Sequence, residues 1–135
     1  MKSSVPRYEE LVAEAEATVR TYSPGEALAL CDEDTVLFVD VRETLELAAG
    51  MIRGAIHVPR GRLEAHLAPD SSPVRDELDI AVEAVFYCAT GSRSALAAQQ
   101  ARQLGLEGVA HLDGGFSAWM DAGGPTQEFD LSEHI

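Results

Sequence analysis

Ala84-Val85-Phe86-Tyr87-Cys88-Ala89-Thr90-Gly91-Ser92-Arg93-Ser94-Ala95-Leu96-Ala97-Ala98-Gln99-Gln100-Ala101 decides how this chain folds. Its first four residues are apolar and β-rich, the pattern of a buried strand. From Ser94 onward the run reads as a helix. Between the two lies a short polar loop that opens with a cysteine. The N–H groups at a helix start have no partners inside the helix, so they attract an anion. Arg93 adds a fixed positive charge at the end of the loop. A free cysteine is only a few per cent thiolate at neutral pH. The amides of Ala89, Thr90, Gly91, Ser92, Arg93 and Ser94, together with the Arg93 guanidinium, are placed to hold an anionic sulfur.

Outward from this stretch the same alternation recurs. Toward the N-terminus, Thr35-Val36-Leu37-Phe38-Val39-Asp40-Val41 is a nearly continuous apolar run, as expected of a strand covered on both faces. Ala55-Ile56-His57-Val58-Pro59 and Gly108-Val109-Ala110-His111-Leu112 are further strands, and Arg20-Thr21-Tyr22 is a short one. Helices are expected over Tyr8–Val19, with Tyr8, Leu11, Val12, Ala15 and Val19 on one face, and at 43–49, Arg62–Leu67, 94–104 and Phe116–Met120. Ser23-Pro24-Gly25-Glu26 carries a helix-start pattern, with Ser as N-cap, Pro at the first helical position and Glu three residues after Ser. Asp32-Glu33-Asp34 reads as a turn, Pro69–Pro73 as a loop, and the residues from about Gly123 as a poorly ordered tail. Alternating strands and helices favour a parallel α/β sheet. The expected division is an N-terminal helical extension over 1–20, one domain over 21–122 and a tail over 123–135.

The composition narrows the possible functions. The chain has 135 residues, 46% hydrophobic and 24% charged, as suits a single globular domain. A formal net charge of −13 argues against nucleic acid as a partner, because phosphate binding needs a basic surface. No apolar run approaches the length of a membrane span, and the first residues do not read as a secretory signal. Two cysteines, Cys31 and Cys88, make no disulfide framework. The expected location is cytoplasmic. His57, His66, His111 and His134 show no metal-ligand spacing with one another or with the cysteines. Neither a metal nor an organic cofactor is implied.

Four motifs occur in order: Asp40-Val41-Arg42-Glu43, Gly50-Met51-Ile52-Arg53-Gly54-Ala55-Ile56-His57-Val58-Pro59, Cys88 to Arg93-Ser94, and Leu112-Asp113-Gly114-Gly115-Phe116-Ser117-Ala118-Trp119. Together they resemble the signatures of the rhodanese family over roughly residues 21–121. Met51 stands where a histidine is often found, and Arg53 replaces a common proline. The resemblance implies a rhodanese-like parallel sheet flanked by helices, with the cysteine at the carboxyl end of a central strand. It also implies sulfur transfer through a Cys88 persulfide, from a small anionic donor such as thiosulfate to a thiol, cyanide or a sulfur-carrier protein. A sulfur-carrier or regulatory module acting through a protein partner is the alternative, with the acidic Tyr8–Val19 helix as a candidate docking surface. Four residues separate Cys88 from Arg93. Cysteine-dependent phosphatases and rhodanese-like arsenate reductases have a loop one residue longer. The shorter loop makes a cradle suited to sulfur and poor for a tetrahedral phosphate.

The remaining candidates admit plainer readings as well. Asp40 and Arg42, at the end of a strand, either shape the rim of the site or form a structural ion pair. Arg60 and Arg62 follow another strand. With Arg42 and Arg93 they would share the carboxyl edge of the sheet, either as a positive collar that draws small anions or as scattered surface charge. His57 reads as a hydrogen-bonded core histidine, and His111 as a residue able to reach the site edge. Cys31 reads as packing, and Phe116 and Trp119 as core anchors.

Overall fold

The computed structural model describes residues 5–70 and 72–133. Along the chain run α1 (Tyr8–Thr18), β1 (Arg20–Tyr22), α2 (Pro24–Leu28), β2 (Val36–Asp40), a 3-10 turn (Thr44–Ala49), β3 (Met51–Ile52) and β4 (Ile56–His57). A second 3-10 turn (Arg60–Arg62) leads into α3 (Leu63–Leu67) and α4 (Pro73–Ile80). Then come β5 (Glu83–Tyr87), α5 (Ser92–Gln103), β6 (Val109–Leu112), α6 (Gly115–Asp121) and β7 (Thr126–Gln127).

β5 is the central strand of a five-stranded sheet ordered β1-β6-β5-β2-β4, in which every pairing is parallel. Successive side chains of a strand point to opposite faces, and both faces here are covered. Ala84, Phe86 and Cys88 join Val39 and Val41 against Leu63, Leu67, Leu78 and the α5 residues Ala97, Ala98 and Ala101. Val85 and Tyr87 join Phe38, Ala110 and Leu112 against Phe116 and Trp119. On α5 the buried stripe is Ser94, Ala97, Ala98 and Ala101, a spacing of three, four and seven residues from Ser94. Three alanines bring the helix close to the sheet, and Ser94 is the polar member of the stripe.

The helix-start pattern at Ser23 is realised in full. Ser23 Oγ accepts the Glu26 N–H at 3.2 Å, and Glu26 Oε1 accepts the Ser23 N–H at 2.9 Å.

Three expectations need correction. The chain from Gly123 is not a loose tail: β7 pairs antiparallel with β3, Met51 opposite Gln127 and Ile52 opposite Thr126. Pro125 O accepts both the Trp119 indole N–H at 3.0 Å and the Arg53 N–H at 3.1 Å. α4 lies in a stretch that the apolar pattern leaves unassigned, because charged residues dominate it. On α1, Tyr8 and Leu11 are exposed and only Ala15 is fully buried, so the apolar face is covered mainly toward its C-terminal end.

Candidate active site

Cys88 directly succeeds the last residue of β5. Tyr87 O accepts the Val41 N–H at 3.0 Å, so the cysteine emerges beside the end of β2 at the carboxyl edge of the sheet. The start of α6 anchors the first two residues of the cysteine loop. Cys88 O accepts the Phe116 N–H at 2.8 Å, and Ala89 O accepts the Ser117 N–H at 3.1 Å. Gly115 makes this approach possible: its φ is +62°, and a Cβ there would lie 2.4 Å from Cys88 O. The loop then turns through Gly91, at φ +112°, into α5. Gly91 donates its N–H to Cys88 Sγ at 3.1 Å. The sulfur therefore sits at the N-terminus of a 12-residue helix, where the helix dipole favours negative charge. Cys88 itself is only 1% exposed. Ala89, Ser92 and Arg93 are half-buried, Gly91 and Ser94 are buried, and Thr90 is exposed.

Ser94 and His111 lie beside the sulfur. Cys88 Sγ is 3.6 Å from Ser94 Oγ. That hydroxyl lies 3.2 Å from Gly91 O, to which it donates, and 3.4 Å from His111 Nδ1. His111, at position three of β6, is fully buried. Its Nε2 lies 3.5 Å from Glu16 Oε2 of α1, a contact too loose to be a full hydrogen bond, and it has no other partner among the described residues. Burial pushes the His111 imidazolium below the ordinary histidine range, while Glu16 and Asp113 pull it back up.

The arginines are placed differently from the collar expectation. Arg93 interacts with the charge of Cys88 but has a carboxylate as its hydrogen-bond partner. Its Nη1 and Nη2 bind the two carboxylate oxygens of Glu46, each at 2.8 Å. This pair holds the Glu46 carboxyl down to about 2. Arg42 and Asp40 form a buried ion pair: Arg42 Nη2 lies 2.7 Å from Asp40 Oδ2, and Nε lies 3.0 Å from Oδ1. Arg42 also donates to Gly50 O at 2.7 Å and stacks its guanidinium 4.4 Å from the Phe116 ring centroid. Arg60 contacts Glu64 at 3.4 Å, and Arg62 is exposed. Three of the four arginines are thus each matched by a carboxylate.

A depression of about 290 Å³ beside the loop is lined by Arg42, Ala49, Ala89, Phe116, Met120 and Asp121, among others. Arg42 thus lines this depression and is half of a buried ion pair at once. His57 Nε2 contacts Arg42 O at 2.8 Å, which is the hydrogen-bonded histidine foreseen. Cys31 packs with the cluster on the sheet face opposite Cys88. His134 lies outside the described residues. Among those residues no three or more His, Cys, Asp or Glu side chains gather as a metal site would require. No helix among them is long and apolar enough to cross a membrane.

Sequence reasoning did not place Glu16 or Gly115 at the site. For Gly115 the Gly-Gly pair was a visible signal. For Glu16 there was none, because its approach to His111 depends on how α1 packs.

Fold and site define a parallel α/β domain organised around one cysteine at a helix N-terminus. Residues 23–122 match the family model described as a rhodanese-like domain, and the chain belongs to the rhodanese family. It is 36% identical over 115 residues to the uncharacterized protein slr1261 of Synechocystis, covering 85% of this chain but only 60% of that protein's length. A human protein named thiosulfate:glutathione sulfurtransferase is 30% identical over 112 residues, covering 75% of this chain and 93% of the human one. Among solved structures, a Rhodopseudomonas palustris protein described as a possible tyrosine phosphatase aligns with a TM-score of 0.82 and 38% identity, over 94% of this chain and 99% of that one. Several relatives carry the name sulfurtransferase, which supports sulfur transfer as the general activity.

Proposed function

We propose that this protein moves sulfane sulfur through a persulfide on Cys88. The Cys88 thiolate attacks the outer sulfur of a donor such as thiosulfate. The S–S bond of the donor breaks, sulfite leaves with the electron pair, and the sulfur stays on Cys88. A thiophilic acceptor then takes that sulfur and returns the thiolate. Two half-reactions of this kind give ping-pong kinetics. The observation that carries the reading is the 3.1 Å hydrogen bond from Gly91 N–H to Cys88 Sγ at the start of α5. An N–H donor placed there supports negative charge as it develops on the sulfur. The human relative, by its name, uses thiosulfate and glutathione, a donor and acceptor of these two classes.

A second reading has a specific observation behind it. Arg42, Arg60 and Arg93 are engaged with Asp40, Glu64 and Glu46, so they offer little free charge to a small anion. That favours a donor already carried as a persulfide, on a small thiol or on a protein, over free thiosulfate. Phosphate-ester hydrolysis is disfavoured by the four-residue loop, despite the description attached to the R. palustris structure.

Steady-state turnover tests the assignment, with thiosulfate and with glutathione persulfide as donors. Cys88→Ser abolishes turnover with both, while Cys31→Ser retains it. Turnover by Cys88→Ser close to that of the parent would end the assignment.

A further inference from the structure

The polar groups behind Cys88 form a chain. It runs from Cys88 Sγ to Ser94 Oγ at 3.6 Å, from Ser94 Oγ to His111 Nδ1 at 3.4 Å, and from His111 Nε2 to Glu16 Oε2 at 3.5 Å. Its first three members are at most 1% exposed, while the Glu16 side chain is 40% exposed. A buried thiol is thereby linked to a solvated carboxylate. The loop hydrogen bond favours the thiolate, but it offers no place for the thiol proton to go.

We propose that Ser94, His111 and Glu16 form a proton path that removes the thiol proton from Cys88 as it becomes a nucleophile. The proposal rests on Cys88 being the sulfur-carrying residue. His111 is the proton acceptor, working through Ser94, and Glu16 is a positioning residue.

Donor and acceptor accounting supports the direction of the path. A buried ring nitrogen facing a carboxylate carries its proton, because a lone pair there would face another lone pair. Glu16 therefore selects the Nε2–H tautomer of neutral His111 and leaves Nδ1 as an acceptor toward Ser94. In the transfer, the S–H bond breaks and an O–H bond forms at Ser94. The Ser94 hydroxyl turns its hydrogen from Gly91 O, 3.2 Å away, to His111 Nδ1, 3.4 Å away, and passes it to that nitrogen. The products are a thiolate, an intact hydroxyl and an imidazolium whose Nε2–H faces Glu16. The charged and titratable groups facing His111 are Glu16 from α1, Asp113 after β6 and, through Ser94 of α5, Cys88. Its register neighbours are Thr21 on β1 and Phe86 on β5, neither of which titrates in this range. Burial keeps the ring neutral at rest, and the two carboxylates let it take a proton. Glu16 precedes the segment matched to the family model, so this arrangement uses a part of the chain outside the shared domain.

The test is the rate of Cys88 alkylation by iodoacetamide against pH, in a Cys31→Ser background, with sulfur loading followed by intact mass on the same samples. His111→Gln keeps a donor toward Glu16 but takes no proton. It should react about tenfold more slowly at neutral pH, equivalent to about one unit of thiol titration, with the gap closing at alkaline pH. Glu16→Gln should behave in the same way, with a loss of about threefold, equivalent to about half a unit. Glu14→Gln, an exposed change of equal charge on the same helix, should leave the profile unchanged. A parental profile in Glu16→Gln overturns the path, as does a His111→Gln deficit that is equal at every pH. If His111→Gln does not fold, Glu16→Gln decides alone. Failure of the parent to load sulfur would count against the sulfur-transfer reading, while the alkylation profiles would still decide the path.

Discussion

Glu46 and Arg93 illustrate how single residues set this site. Arg93 closes the cysteine loop, yet both its terminal nitrogens bind a carboxylate 47 positions away in sequence. The pair orders the first turn of α5 and joins it to the 3-10 turn after β2. It also has a pH signature. The Glu46 carboxyl drops from 4.5 to about 2 on account of Arg93 and, to a smaller extent, the Glu43 N–H. A carboxyl with a depressed folded value contributes stability above its unfolded value and loses it as pH falls through the folded one. The contribution is therefore complete above about pH 4.5 and disappears toward pH 2. Both side chains are about one-third exposed, so solvent screening limits it to about 1 kcal/mol. Urea unfolding of the parent and Glu46→Gln across this range checks the sign. The stability difference should shrink as pH falls, and a difference that is constant or grows would refute the assignment.

At the scale of elements, α4 acts through Arg75. This buried guanidinium donates to Leu67 O at the end of α3, to Leu104 O at 2.8 Å after α5, and to Asp79 at 3.0 Å. One side chain thus serves carbonyls at two helix ends that have no partners within their helices. Arg75→Ala leaves those carbonyls unpaired and should cost about 2–4 kcal/mol. A lowered urea midpoint at unchanged m-value would show it, and an unchanged midpoint would refute it. The sequence made β2, β5 and α5 legible because their apolar spacing is regular and their contacts follow from period two or 3.6. It hid α4, where Arg75, Asp76, Glu77 and Asp79 leave only Val74, Leu78 and the exposed Ile80 as an apolar signal. It also hid the β3–β7 ribbon, since each strand has two residues and its partner lies far along the chain. The placement of Cys88 at the end of a strand was readable for the same reason β5 was. The Glu46–Arg93 and Glu16–His111 contacts were not, because they arise only when separate elements pack.

Over the whole molecule, a net charge of −13 surrounds a cysteine with little unpaired positive charge near it. Long-range attraction therefore contributes little to the capture of an anionic donor, and local fit at the loop and the adjoining depression must supply selectivity. The parallel sheet places the ends of β2, β4, β5 and β6 on one edge, where Cys88, Arg42 and the α6 start converge. This convergence is the reason a persulfide on Cys88 is the central claim. Intact-mass spectrometry of the protein after brief exposure to thiosulfate or glutathione persulfide tests it most directly. The account predicts one added sulfur on the parent and on Cys31→Ser, removable by a thiol and absent from Cys88→Ser. A parent that gains no sulfur from either donor, or a Cys88→Ser protein that gains it as readily, would contradict the account.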